Sequence, residues 1–580
     1  MRRIGRTFEH PGWWIAAGIG LVLFLLIQVF PILGDHGGNR PLSRETGEKA
    51  ALAAAREKFG VTAGSADVRL THLSDSEAVG YFAKEKLTDR YDRTWAEDYP
   101  TDVYRADFWP EADSGTLTLY ISLESGKLVA WRDGRLPAAD RAGTGETPAS
   151  SSSEGSREGA DRALQYAAFW GVKTSDWEWD GNPADPDGKW TFLSRKGDLG
   201  EARLVLEARV PETFSPASSA YPPTEGGSVT YDIRVPEAFS AYLAQQKRLA
   251  SRLNAIGFVL PELVLLVLSI VYAAARRSYA SFRRGLGLTA VFLILYTAFY
   301  FNLLPGFRAG LLDEGITGDD LAVLGLLIIN LVILACMGIF TYFSAVAGDG
   351  LWRSMGRNLW PRWKEAGYGQ AVLTGMKQGY PLAFLLLGVQ SVILLGLEQG
   401  IGMFQSTDAS QSSPNMTLPW LLLALAWCTG ISEELQSRLF GIGLFRSWLL
   451  GGAKRALGRP PSPRAETWLT LAAMIPPGAV WAFGHAGYAV YPATSRLIEL
   501  IVLSLLFGWF LLRFGLFAVV FAHIVLDTTL MCVQLMADGL PGDRIAAPVG
   551  FLLPAAVAWL IWLAHRRRNG HSFPTEGRET

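Results

Sequence analysis

Cysteine is scarce, with three in 580 residues, and Cys336, Cys428 and Cys532 all sit in apolar runs. Neither a disulfide framework nor a thiolate metal site can be assembled from neighbouring pairs of them. Charge is scarce too: 18% of residues are charged, against 49% hydrophobic, and the net charge is -1. A nucleic-acid binder neutralises phosphates with a basic excess, so that class is excluded. The remaining charge is unevenly placed. Between Gly34 and Ala250 there are 35 acidic and 26 basic residues, whereas the rest of the chain has 19 and 27. An acidic soluble part is thus set inside a basic, apolar chain.

What the sequence has in abundance is long apolar stretches. A spanning helix needs about 20 mostly apolar residues, and ten stretches qualify, near 13–33, 255–275, 286–304, 321–343, 380–397, 418–440, 468–490, 497–512, 516–536 and 545–564. The first follows Arg2, Arg3 and Arg6 and exceeds the roughly 7–15 apolar residues of a signal peptide, with no Ala-x-Ala-like site after it. It reads as an anchor, residues 1–33. Lys and Arg collect in alternate connections, at Arg276-Arg277, Arg353 to Lys377, Arg446 to Arg464 and Arg566-Arg567-Arg568. By the positive-inside rule both termini and the tail 566–580 lie in the cytoplasm, and 34–250 lies outside the cell membrane. The cytoplasmic loop 346–379, with Trp352, Trp360 and Trp363 among its basic residues, reads as an amphipathic interfacial helix between spans two to four (251–345) and the core 380–565.

The outer region carries a repeat at an offset of 111 residues. Phe59-Gly60-Val61 and Trp170-Gly171-Val172 each close an alanine-rich helical pattern, and Tyr120 and Tyr231 each sit in an alternating stretch. This predicts two tandem α+β modules, 34–143 and 160–250, joined by a Ser/Gly/Glu-rich linker at 144–159. The pair resembles the PepSY-like domains of bacterial envelope proteins, a resemblance that identifies no ligand. Capture or gating of a substrate at the outer mouth is the role expected of it. The fold class is a polytopic α-helical membrane protein with an inserted extracytoplasmic α+β region.

Ionisable groups within a membrane are costly and mark function. Glu433 and Glu434 fall some 15 residues, or roughly 22 Å, into their apolar run. On a helix Glu434 and Arg438 are one turn apart and can pair, while Glu433 is turned about 100° away and remains free to act as a base. His485 and His523 are the two histidines within spans, and Asp527 lies one turn beyond His523. Glu, His, His and Asp are the groups needed either to activate a water or to hold zinc with an open position.

The ordered set Glu433-Glu434-x-x-x-Arg438, then x-x-x-His485, then His523-x-x-x-Asp527, resembles the three motifs of the CPBP intramembrane proteases, also called the ABI family and related to the type II CAAX prenyl endopeptidases. The resemblance covers about 380–565. One departure is Trp481, where the second motif usually has Phe; an aromatic there keeps a packing role. His-Glu-x-x-His, Gly-x-Ser-Gly and Gly-x-Gly-Asp are missing from the spans.

The resemblance implies an endopeptidase acting on a membrane-associated protein or peptide. Glu433 and His485 would activate water, His523 and Asp527 would stabilise the oxyanion or complete a metal site, and Glu434, Arg438 and Trp481 would support the helices. An ionised Asp527 would repel an oxyanion, which favours zinc bound by Glu433, His485, His523 and Asp527 over a metal-free glutamate mechanism. The rival readings are a transporter or signalling scaffold using the same charges for ion binding or proton relay, and an inactive relative serving as a binding protein.

Overall fold

A computed structural model describes residues 11–31, 40–64, 67–109, 115–135, 157–197, 199–215 and 223–570. Arg2, Arg3 and Arg6, most of the 144–159 linker and the end of the tail lie outside them. In chain order the helices before and within the sheet region are α1 (Pro11–Val29), α2 (Arg44–Phe59), α3 (Ser76–Glu85), α4 (Thr88–Thr94) and α5 (Arg157–Ala168). There follow α6 (Glu237–Ala275), α7 (Phe282–Asn302), α8 (Leu304–Asp313), α9 (Asp320–Ser354) and α10 (Tyr368–Ile401). The last part holds α11 (423–457), α12 (Pro463–Ala472), α13 (Ile475–Gly484), α14 (Thr494–Phe514), α15 (Leu516–Asp538) and α16 (Asp543–Gly570).

Among the described residues eight helices are long and apolar enough to cross a membrane: α1, α6, α7, α9, α10, α14, α15 and α16. The chain is a multi-pass helical membrane protein. The two other expected spans are helical but differ in kind. In α11 the charges of Glu433, Glu434 and Arg438 interrupt the apolar run, and the 468–490 stretch is divided between α12 and α13 just before Pro476 and Pro477, whose rings cannot continue a hydrogen-bonded turn. Close approach of helices follows from small residues. A Cβ on Gly375 or Gly379 of α10 would stand 2.5 or 2.6 Å from the Phe517 or Phe521 Cβ of α15, so this Gly-x-x-x-Gly pair lets the two helices touch.

The inserted region is a single antiparallel sheet of eight strands in the order β1-β2-β3-β4-β8-β7-β6-β5. The strands are β1 (Val68–Ser74), β2 (Asp102–Phe108), β3 (Leu117–Ser122), β4 (Leu128–Asp133), β5 (Trp177–Trp179), β6 (Lys189–Ser194), β7 (Arg203–Arg209) and β8 (Ser228–Arg234). Each half is a helix and four antiparallel strands, with α3 and α4 set between β1 and β2 in the first, and the halves meet where Trp131 of β4 pairs with Val229 of β8. The fixed offset of 111 holds for the helix ends, where Phe59 and Trp170 stack with centroids 5.2 Å apart. It fails for the strands: Tyr120 is on the third strand of its half and Tyr231 on the fourth, because α3 and α4 lengthen the first half.

The sheet is not a free head. Its aromatic core takes in Phe404 and Tyr491, which pair in a small ribbon of β9 (Phe404–Gln405) and β10 (Val490–Tyr491) supplied by the membrane part. The Asn415 side chain pairs with β1 as a strand would, accepting from His72 N at 2.9 Å and donating to His72 O at 2.8 Å. Ser412 and Thr407 bond His72 and Ser74. The connection entering α11 is therefore fixed by β1 on one side and by Asn302 of α7, which bonds Leu418, on the other.

The expected interfacial helix at 346–379 is absent. Its ends belong to α9 and α10, and Trp352 and Trp360 are buried. Arg284, Arg353 and Arg362 converge instead on the buried Asp349 at 3.2, 2.9 and 2.8 Å. Arginines that satisfy an internal carboxylate have no need of lipid headgroups.

Asp75 caps α3 by accepting from Ala78 N, yet burial raises its carboxyl to about 7, with Asp232, Glu77 and Asp102 adding repulsion. An unfolded chain ionises Asp near 3.9. Between that value and about 7 the unfolded form loses the proton first, so stability falls as pH rises and changes no further above. Asp75→Asn keeps the cap and deletes the charge. It should raise the melting temperature followed by tryptophan fluorescence at about pH 8 and leave it unchanged at about pH 3; a lower value at the higher pH would contradict this.

Candidate active site

The site is built on α11, α13 and α15. Helix α11 is α-helical over Leu423–Glu433, π-helical over Glu434–Ile442 and α-helical again from Gly443. A π turn widens the helix and displaces carbonyls from the regular ladder. Two of its groups find partners on α9: Trp352 Nε1 donates to Leu439 O at 2.8 Å and Gln436 Nε2 donates to Thr341 Oγ1 at 2.9 Å. The π stretch begins at Glu434 and so re-aims the Glu433-Glu434 pair.

Glu434 is fully buried and Arg438 is 1% exposed at the side chain. Their ion pair is 3.4 Å, and the Arg438 guanidinium lies over the rings of Trp481 and Phe507 at 4.1 and 5.0 Å. The shorter contact to Glu434 comes from His523, whose Nδ1 donates to Oε1 at 2.7 Å. Glu434 thus joins α11 to α15 as well as to Arg438. With Nδ1 engaged, the Nε2 edge of His523 faces Glu433 Oε2 at 3.7 Å and Asp527 Oδ2 at 3.5 Å. Those two carboxylates retain 20% and 19% side-chain exposure, which separates them from the sealed Glu434.

Trp481 does more than pack. Its indole N–H donates to Glu433 Oε2, and its ring meets both His523 and His485, at centroid distances of 6.1 and 5.1 Å. His485 ends α13, gives its Nδ1 to Trp481 O at 2.8 Å and stacks on Tyr488 at 5.6 Å. Glu433, Glu434, Arg438, Trp481, His523 and Asp527 are therefore gathered directly, and His485 adjoins them through Trp481.

Other members of the site escaped the sequence reading. Thr429 donates to Asp527 Oδ2 at 2.7 Å; it lies one turn before Glu433, a spacing that places its hydroxyl on the same face. Within α14, Arg496 reaches both oxygens of the buried Glu499 at 2.7 Å, Gln390 of α10 donates to the same carboxylate, and the guanidinium sits 5.2 Å from the Tyr488 ring. Glu262, an ionisable group inside a span, interacts electrostatically with Glu433.

Residues 415–529 match a family model described as type II CAAX prenyl endopeptidase, Rce1-like. This segment is similar to the CAAX proteases. The family is one of peptide hydrolases. No curated protein and no solved structure matches the chain. The CAAX-protease-like domain begins at Asn415, the residue clasped by β1, and ends just past Asp527, so it takes in all seven expected site residues.

Of the four residues expected to hold zinc, Glu433, His523 and Asp527 lie together and His485 adjoins them through Trp481. Among the described residues no group of three or more His, Cys, Asp and Glu side chains is placed to hold a metal ion. His485 gives its Nδ1 to Trp481 O of its own helix.

Removing one partner of a buried ion pair leaves the other charge uncompensated. Arg438→Met should cost about 3–5 kcal/mol of stability, read as an early thermal inactivation of the purified protein. An unchanged inactivation temperature would show that Glu434 is held by His523 alone.

Proposed function

We propose that the chain is an intramembrane endopeptidase that cleaves a membrane-associated protein or peptide, with Glu433 as the base. The observation that carries this reading is the Nε2 edge of His523 lying 3.5–3.7 Å from two partly open carboxylates. Such separations are too long for direct hydrogen bonds, so a water seated beside the three groups can form hydrogen bonds with all of them. Glu433, held by the Trp481 N–H, takes a proton from that water as its oxygen attacks the peptide carbonyl.

The resulting oxyanion accepts from the Nε2 edge of His523, whose ring is held in place by its Nδ1 bond to Glu434. Asp527, oriented by Thr429, lies 3.5 Å from the same nitrogen and steadies the ring of His523. When the C–N bond breaks, Glu433 returns the proton to the leaving amine. His485 adjoins this centre through the Trp481 ring.

Glu433→Gln should abolish cleavage while the protein accumulates and melts as the parent does. Trp481→Phe, which loses one hydrogen bond to the base, should slow cleavage by about tenfold. Comparing membrane proteomes of cells carrying the parent and Glu433→Gln chains reads the first effect directly. Identical sets of cut peptides in the two would overturn the reading.

A further inference from the structure

A cavity of about 760 Å³ lies between the sheet and the membrane part. That volume falls within the roughly 300–1,000 Å³ of ordinary ligand clefts. Its walls come from β1, the first half of α6, the end of α8 and the connection into α11, and its floor is the turn that follows His485. Two residues join it to the active site. Tyr488 lines it, is 54% exposed and stacks on His485 with rings 17° from parallel. Asn254 also lines it and donates to Gly484 O, next to His485 in the chain, at 3.4 Å.

The lining suits a peptide better than a hydrocarbon chain. Hydroxyls from Ser74, Thr407 and Ser410 enter the wall, and charge is contributed by Asp313, Glu314 and Asp408 against Lys247. The excess of carboxylates favours a cationic occupant. The cavity lies on the side of the bilayer that carries the sheet, and a membrane protein's chain leaving the bilayer there would enter it immediately beyond His485.

Resting on the endopeptidase reading, we propose that this cavity is the subsite for a basic, extended juxtamembrane segment flanking the scissile bond, with Tyr488 as the wall between that segment and the reacting centre. The inserted sheet is then one jaw of the substrate cleft, and specificity is set outside the CAAX-protease-like segment. A short lipidated tail lying wholly in the bilayer would make no use of it.

The test uses the full chain in cells, with cut sites defined as those lost in Glu433→Gln. Ser251→Trp, on the exposed cavity face of α6, fills the cleft, and the pair Asp313→Lys with Glu314→Lys reverses its charge. Ser251→Trp should reduce cleavage at those sites by about tenfold while melting as the parent does. The charge-reversed chain should lower the share of cut sites flanked by Lys or Arg by about threefold. If both variants cut every site as the parent does while Glu433→Gln cuts none, the subsite is overturned and the endopeptidase stands. If Glu433→Gln itself cuts normally, both fail.

Discussion

A carboxylate sealed inside a membrane protein must be compensated, and the arrangement around Glu434 answers that need. Its oxygen is shared by His523 and Arg438, and the arginine is in turn covered by Trp481 and Phe507 rather than by water. One buried charge thereby ties four helices, α11, α13, α14 and α15, to each other. It also sets the ring orientation of His523 and presents Nε2 to Glu433 and Asp527. Adjacent glutamates acquire unlike roles through environment: one is sealed and structural, the other partly open and available for chemistry.

The same economy of contacts explains why the sheet is docked. Asn415 completes β1 with its side chain, Phe404 and Tyr491 complete the aromatic core, and Asn302 holds the start of α11. The helix that bears Glu433 thus begins at a point defined by the sheet. Domain and membrane core form a joint surface, and Tyr488 in the cavity at their seam stacks on His485.

Much of the site was legible because ionisable residues in apolar runs are conspicuous: Glu433, Glu434, His485, His523 and Asp527 stand out by cost alone. Their partners were not. Thr429 is an unremarkable hydroxyl in a helix, and Trp481 looks like a packing residue until its indole N–H is aimed at Glu433. The pairing of Glu434 with His523 joins residues far apart in sequence, whereas the spacing to Arg438 suggested a self-contained pair. Sequence composition also could not separate arginines destined for headgroups from those that enclose Asp349, so Trp352 and Trp360 were read at an interface that they do not occupy. In the sheet, the helix ends kept the repeat's offset because Phe59 and Trp170 pack on one another; the strands lost it to the inserted α3 and α4.

Glu434 and His523, bonded at 2.7 Å, act as one unit. A double-mutant cycle on thermodynamic stability, using Glu434→Gln, His523→Ala and the double variant in one detergent, measures this directly. A coupling of about 1–3 kcal/mol is predicted. Additive effects, agreeing within about 0.5 kcal/mol, would contradict the claim that these two groups hold the site together.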